Sequence, residues 1–398
     1  MTSIAITGGR VVPVEGEPIE NGTVLLADGT IAAVSGPDFT PPSGCDVIDA
    51  TGKWVLPGFI DAHVHLGAYE EAGGWAGTDT NELTGPVQAH VRVVDAINPA
   101  DIGFRDAIAG GVLTVNVNPG SGNPIGGQTA AIRCWGTVVD DMVLRSPSGL
   151  KSALGENPKR VYGDRKEAPA TRLGTAAVIR SALASAADYL QKQDAPERSE
   201  VTPRDLKLEA LGQVLRGEIP WRQHCHRADD IATAMRIAAE FGYRLVIDHG
   251  TEAYLIADKV AAADVPVVIG PLITSRSKPE LRNRSLSSPG RLAAAGVEIS
   301  ITTDHPVVPI HFLIHQATLA VKEGLDPVTA LRAVTINPAR VIGVDDRLGS
   351  LTVGKDADVV IWSGDPLDVM SRAEVAYQLG REIYHYDYSR QEGVFAES

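Results

Sequence analysis

Residues 55–65 read Val55-Leu56-Pro57-Gly58-Phe59-Ile60-Asp61-Ala62-His63-Val64-His65, and this stretch decides the fold. An apolar run turns through Pro-Gly and ends in two histidines one residue apart. On an extended strand, side chains two residues apart share a face. Both imidazoles can then converge on one point, as a metal ion requires. Asp61, two residues before His63, is placed to act as a supporting or capping carboxylate. The apolar lead-in argues for a buried strand rather than an exposed edge.

Further histidines and one aspartate stand where later apolar runs stop. His224 ends Pro220-Trp221-Arg222-Gln223-His224. His249 ends Arg244-Leu245-Val246-Ile247-Asp248, and Asp304 ends Val297-Glu298-Ile299-Ser300-Ile301-Thr302-Thr303. Buried imidazoles and carboxylates cost free energy unless paired or coordinated, so packing alone does not explain this set. Helical patterns separate the runs. Asn98-Pro99 reads as a helix start closed by Gly110-Gly111, and Asp229-Asp230 as the cap of a helix stopped by Gly242. Strand then helix, repeated, implies a parallel sheet. About eight such strands in this length predict an α/β fold, a closed (β/α)8 TIM-type barrel. In such a barrel the working residues sit at the C-terminal ends of the strands. Residues 157–220 read as an elaborated loop with helices near 175–191 and 204–215.

The two chain ends carry strand and turn signals instead. Val24 to Val34 is two apolar runs around Asp28-Gly29, a hairpin signature. Residues 348–362 repeat the strand-and-turn character. The two ends are therefore expected to form one small β-sandwich from residues 1–57 and 340–398, flanking a barrel over 58–339.

The run Pro57 to His65 resembles the signature of the amidohydrolase superfamily of metal-dependent hydrolases, and the resemblance extends over nearly the whole chain. Gly354-Lys355-Asp356-Ala357-Asp358 resembles a run in that family's split end domain. The region Asp248 to Glu252 resembles imidazolonepropionase-like and prolidase-like, dipeptide-cleaving members. The resemblance implies that His63, His65, His224, His249 and Asp304 bind metal and that Asp304 is also the base. It favours His224 over His226 as ligand, leaving His226 as a substrate contact. It also implies a bridging lysine or glutamate. Lys151 and Glu156 are the candidates, with neither as a third alternative. If residues 150–155 are the strand, barrel geometry favours Glu156. Histidine-rich ligation suits one or two Zn ions, with Mn, Fe or Co as alternatives.

Substrate contacts are expected in the Gly/Pro-rich loop after residue 118, with Asn123 and Gln128, and at His305 and Arg276. A tight loop, a histidine that simply faces the loop and a solvated arginine are the bland alternatives. The implied reaction is hydrolysis of a C–N bond in an amide or cyclic amide. A heterocycle deaminase uses the same parts, and a non-catalytic relative would have lost ligands that are all present here.

Composition bounds the rest. The 398 residues are 44% hydrophobic, enough for a large core, with no membrane-length apolar run and no basic-then-apolar leader. The net charge of −14 argues against nucleic acid or an anionic membrane as partner. Three scattered cysteines do not make a disulfide framework. The expectation is a cytoplasmic homo-oligomer acting on a small molecule.

Overall fold

A computed structural model describes residues 3–194 and 203–397. Strands from both chain ends form one nine-stranded sheet. Its order is Glu392–Phe395, Arg381–Asp387, Ala373–Gln378, Val359–Trp362, Trp54–Pro57, Ile4–Val11, Ile19–Ala27 and Thr30–Ser35, with Asp46–Asp49 added beside Ile4–Val11. The hairpin turn falls at Asp28-Gly29, both at positive φ (49° and 79°), as a two-residue Asp-Gly turn requires.

Period-two alternation fastens this sheet to the rest of the chain. Val55, Val359 and Ile361 pack with Ile6, Val24 and Leu26 in the end domain's own core. Their neighbours Leu56, Val360 and Trp362 face the other way, into the main core. Arg133 of the barrel adds ion pairs to Asp356 and to Asp358, the latter at 3.0 Å. The Gly-Lys-Asp-Ala-Asp run is thus a fastening between the two parts of the molecule.

The second sheet has eight strands, here β1 (Phe59–Val64), β2 (Val112–Val117), β3 (Ile125–Arg133), β4 (Val143–Ala153), β5 (Trp221–Cys225), β6 (Leu245–His249), β7 (Val267–Ile269) and β8 (Ile299–Ile301), in chain order. The TIM-type barrel predicted from the alternation is present, with one departure. β3 runs antiparallel to both β2 and β4. Parallel neighbours need a crossover of about a dozen residues or more. The links at 118–124 and 134–142 are too short for that, so the chain doubles back.

No ladder joins β8 to β1; the buried Asp61 carboxylate closes that gap. Its Oδ1 lies 2.6 Å from Thr302 Oγ1, and its Oδ2 accepts from the Thr303 N–H (2.9 Å) and hydroxyl (2.6 Å). Thr302 Oγ1 is also 2.7 Å from the His63 carbonyl. Below this level Ile60, Ala62, Val246 and Val268 fill the barrel together with Val341, Ile342 and Leu348. Between Asp61 and Val64 the β1 strand carries one residue more than β2, because Asp61 faces Val115 and Val64 faces Val117. This bulge follows Ala62 in the apolar plug with His63 in the cavity above it.

Two helix starts differ from the sequence expectation. The first helix is Gly103–Ala109, not one begun at Pro99. Asn98 and Asp101 instead accept from the N–H groups of Ala100 and Gly103, shaping two turns before it. Asp229 and Asp230 lie in the first turn of Ala228–Phe241, with Arg227 at the cap position, and pair with Arg227 and Arg172. That helix stops at Gly242 (φ 73°) as predicted. Residues 156–215 hold three helices, Glu156–Asp164, Arg172–Asp194 and Leu206–Leu215. Among the described residues no helix is long and apolar enough to cross a membrane.

Gly111, just before β2, packs close against Trp362 of the end-domain sheet. It has φ +76°, and a Cβ there would sit 2.5 Å from Trp362, whose ring also packs on Phe59 at 5.1 Å. Gly111→Ala combines backbone strain with a clash and is expected to destabilise by roughly 1–3 kcal/mol. Gly16→Ala has positive φ but nothing within 4 Å and isolates the strain alone. Thermal midpoints of the two variants measure the difference, with Gly111→Ala the lower.

Candidate active site and metal centre

The C-terminal ends of β1, β4, β5, β6 and β8 surround a cavity of about 280 Å³, lined by His63, His65, Lys151, His224, His226, His249 and Asp304 among others. One ligand atom each from His63, His249 and Asp304 lies within 4.8 Å of the other two. His63 Nε2 is 3.5 Å from Asp304 Oδ1 and 3.2 Å from Lys151 Nζ, and His65 Nε2 is 3.3 Å from Asp304 Oδ1. The rings of His224 and His249 are 4.5 Å apart.

Each ring is held from behind. His65 Nδ1 lies 2.8 Å from the Asn118 carbonyl, and His249 Nδ1 lies 2.8 Å from the Gly270 carbonyl. A carbonyl only accepts, so both rings carry their proton on Nδ1 when neutral and turn an unprotonated Nε2 to the cavity. His224 is reversed: its Nε2 is 3.4 Å from the Asn157 amide, and its buried Nδ1 has no hydrogen-bond partner. His249 and Asp304 both occupy left-handed backbone, φ 73° and 53°. Such strain in non-glycine residues clusters at functional sites.

Electrostatics favour the donor forms. Burial, with Lys151 adding to it, pushes His63 down to about 3. Burial likewise holds His224 and His226 well below the ordinary imidazole value. Burial alone would raise the Asp304 carboxyl. The neighbouring His249, His65 and His63 outweigh it and keep Asp304 well below the usual range. Burial also lowers Lys151 to about 8 against the pull of Asp248 and Asp304. Neutral imidazoles, two of them with a buried ring nitrogen that has no hydrogen-bond partner, and an anionic carboxylate around one point are a donor set that fits a divalent cation.

The structure revises several expected positions. Strand β4 starts at Val143 and ends at Ala153, so Lys151 lies near its C-terminal end, fully buried in the cavity wall. Glu156 lies beyond the strand. Gly155 (φ +89°) turns the chain into the helix Glu156–Asp164, and the Glu156 N–H donates to Glu280 Oε1 at 2.6 Å. Glu156 is not part of the cavity wall. Asn123 is outside it too, its amide donating to the Glu82 carbonyl and its oxygen accepting from Tyr162. Gln128 belongs to β3 and donates to the Ala89 carbonyl. Arg276 holds its own loop through the carbonyls of Arg282 and Arg284. His305 is buried beside Glu71, 3.8 Å away, and does not line the cavity. His226 does line it, with Nδ1 2.7 Å from Thr251 Oγ1 and its ring stacked on His249.

Other contributors carried no sequence signal. Asn81, Ser121, Asn157 and Lys278 complete the wall. Glu280, buried in a short 3-10 turn, brings a carboxylate oxygen within 4.8 Å of ring nitrogens of His224 and His226. Ser121, in the Gly/Pro-rich loop after β2, and Asn157, at the start of a helix after β4, stood where a barrel places working residues.

Comparison with known proteins agrees with this geometry. Residues 206–385 match the amidohydrolase family model. The chain is similar to an amidohydrolase of Thermotoga maritima of known crystal structure, at 44% identity and TM-score 0.93, covering 96% of this chain and all of that one. It is 30% identical over 362 residues to the imidazolonepropionase of Aromatoleum aromaticum, covering 84% of this chain and 81% of that protein. It is 29% identical over 375 residues to amidohydrolase tasK of Hapsidospora irregularis. There 87% of this chain matches, but only 38% of the relative's length. The chain belongs to the amidohydrolase family. It is a metal-dependent hydrolase acting on carbon–nitrogen bonds.

Asp61→Ala removes the acceptor for two hydroxyls and two backbone N–H groups, those of His63 and Thr303, in a buried seam. Each donor left unpaired costs about 1–3 kcal/mol. The variant is expected to lose several degrees of thermal midpoint and to bind divalent cations more weakly. Calorimetry with and without zinc reads both effects.

Proposed function

We propose that His63, His65, Lys151, His224, His249 and Asp304 hold one or two divalent cations, zinc by the nitrogen-rich donor set. The observation that carries this reading is the convergence of His63, His249 and Asp304 within 4.8 Å on the cavity wall. When bound there, the cation supplies Lewis acidity to the scissile carbonyl and to the attacking water. Asp304, kept anionic by its imidazole neighbours, accepts the water proton and delivers it to the leaving nitrogen. Nε2 of His65 and the Asp304 carboxylate, 3.3 Å apart, present two acceptors side by side, as a shared cation requires. His226 and Asn157 line the wall beside His224 and contact the substrate.

The bridging ligand in this reading is Lys151, not Glu156. The buried amine lies 3.2 Å from His63 Nε2, whereas Glu156 is committed to the neighbouring helix start. Carboxylated by CO2, with loss of one proton from the amine nitrogen, Lys151 would supply two oxygen donors to the cations. The substrate is a small molecule; similarity to an imidazolonepropionase points to a ring amide. All three cysteines are free thiols, in keeping with a reducing cytoplasm.

Asp304→Asn and His249→Ala are each expected to lower kcat by at least about a hundredfold, measured on a panel of lactams, hydantoin-like rings and acyl-amino acids with zinc-loaded protein. Turnover that survives both substitutions and chelation overturns the reading. Lys151→Met is expected to lose bound metal, read by elemental analysis, while Glu156→Gln keeps both metal and turnover. The reverse result returns the bridge to Glu156.

A further inference from the structure

Behind the ligand cluster lie two fully buried charged side chains, Arg222 of β5 and Asp248 of β6, that the reaction outlined above does not use. Strand register sets Arg222 opposite Val246 and His224 opposite Asp248, so the two charges are diagonal neighbours. The chain makes room for them: a Cβ on Gly149 would approach Arg222 Cγ to 2.8 Å. Arg222 gives Asp248 Oδ1 two hydrogen bonds, from Nε at 3.2 Å and from a terminal nitrogen at 2.5 Å. The same terminal nitrogen is 2.9 Å from the Ala62 carbonyl, immediately before His63. Asp248 Oδ2 then faces His63 Nδ1 at 3.2 Å, and each of these two buried atoms is without a hydrogen-bond partner.

A buried ion pair is weak evidence for stability, because desolvation opposes the Coulomb gain. A different role fits the geometry. A neutral imidazole has one N–H, and a carboxylate only accepts. A carboxylate fixed at Nδ1 therefore keeps the His63 proton on Nδ1. It leaves the lone pair of Nε2 turned toward Lys151 and Asp304. Arg222 decides which oxygen does this, by occupying Oδ1 and leaving Oδ2 free. The contrast with the other rings sharpens the point. His65 and His249 rest on neutral backbone carbonyls, whereas the Nδ1 of His63 lies 3.2 Å from a buried carboxylate.

We infer that Asp248, locked by Arg222, is a positioning residue that fixes His63 in the tautomer able to ligate metal through Nε2 and strengthens it as a donor. The inference rests on the metal-centre reading given above. Supporting carboxylates of this kind are worth about ten- to a hundredfold in metal affinity.

Asp248→Asn keeps the shape and inverts the chemistry. With Arg222 holding the amide oxygen at the Oδ1 position, the amide nitrogen presents a donor to His63 Nδ1. The proton of His63 must then sit on Nε2. In 15N-histidine-labelled protein stripped of metal, wild type is expected to show His63 as the Nδ1–H tautomer, assigned by its loss in His63→Gln. Asp248→Asn is expected to show the Nε2–H tautomer, with zinc affinity down about ten- to a hundredfold and kcat reduced at near-constant KM. An Nε2–H tautomer in wild type overturns the inference without any variant at position 248, so a misfolded Asp248→Asn protein does not shelter it. An Asp248→Asn protein with wild-type tautomer and affinity overturns it too, while leaving the metal centre intact. Wild-type protein that takes up no zinc removes the metal centre and the inference with it.

Discussion

One buried carboxylate holds the working end of this barrel together. Asp61 stands on β1, accepts from Thr302 and Thr303 just beyond β8, and so closes a gap that no backbone ladder spans. The same contact fixes the relation of His63 and His65 to Asp304, since the former follow Asp61 by two and four residues and the latter follows Thr303 directly. Burial raises the Asp61 carboxyl to about 6 in spite of its hydrogen bonds to Thr302, Thr303 and His63. The group is costly to keep there, and its position at the meeting of the first and last strands accounts for its presence.

Outward from that seam the architecture follows from short-range rules. The extra residue in β1 separates the apolar plug below from the polar cavity above. The alternation of Val359, Val360, Ile361 and Trp362 lets one strand serve two cores. The short links on either side of β3 replace two crossovers with reversals, so the barrel keeps its cavity while giving up one parallel strand.

Much of this was legible in the sequence because it depends on neighbours in the chain. The Asp28-Gly29 turn, the stop at Gly242, and the histidines and aspartate at strand ends are local signals read with local rules. The direction of β3 is also local, through its link lengths, but the alternation of strands and helices elsewhere masked it. The place of Lys151 at the end of its strand was hidden for a local reason too. Ser146-Pro147-Ser148-Gly149 looks like an interruption, so the strand seemed to start at Leu150; pairing with β3 carries it through, from Val143. Asn123, Gln128 and Arg276 lie outside the cavity wall for a different reason. Their polarity suggested function, and what absorbs it is a carbonyl or hydroxyl supplied by another part of the fold. Glu280 and Lys278 were invisible for the same reason, seen from the other side.

His249 and Asp304 sit in left-handed backbone, a conformation that costs a side chain with a Cβ roughly 1–3 kcal/mol. Glycine or asparagine relaxes that cost at either place and discards the donor in the same step. Selection for robustness and selection for turnover therefore pull these two codons apart. A lineage released from its substrate would drift first at these positions, growing sturdier as it fell silent.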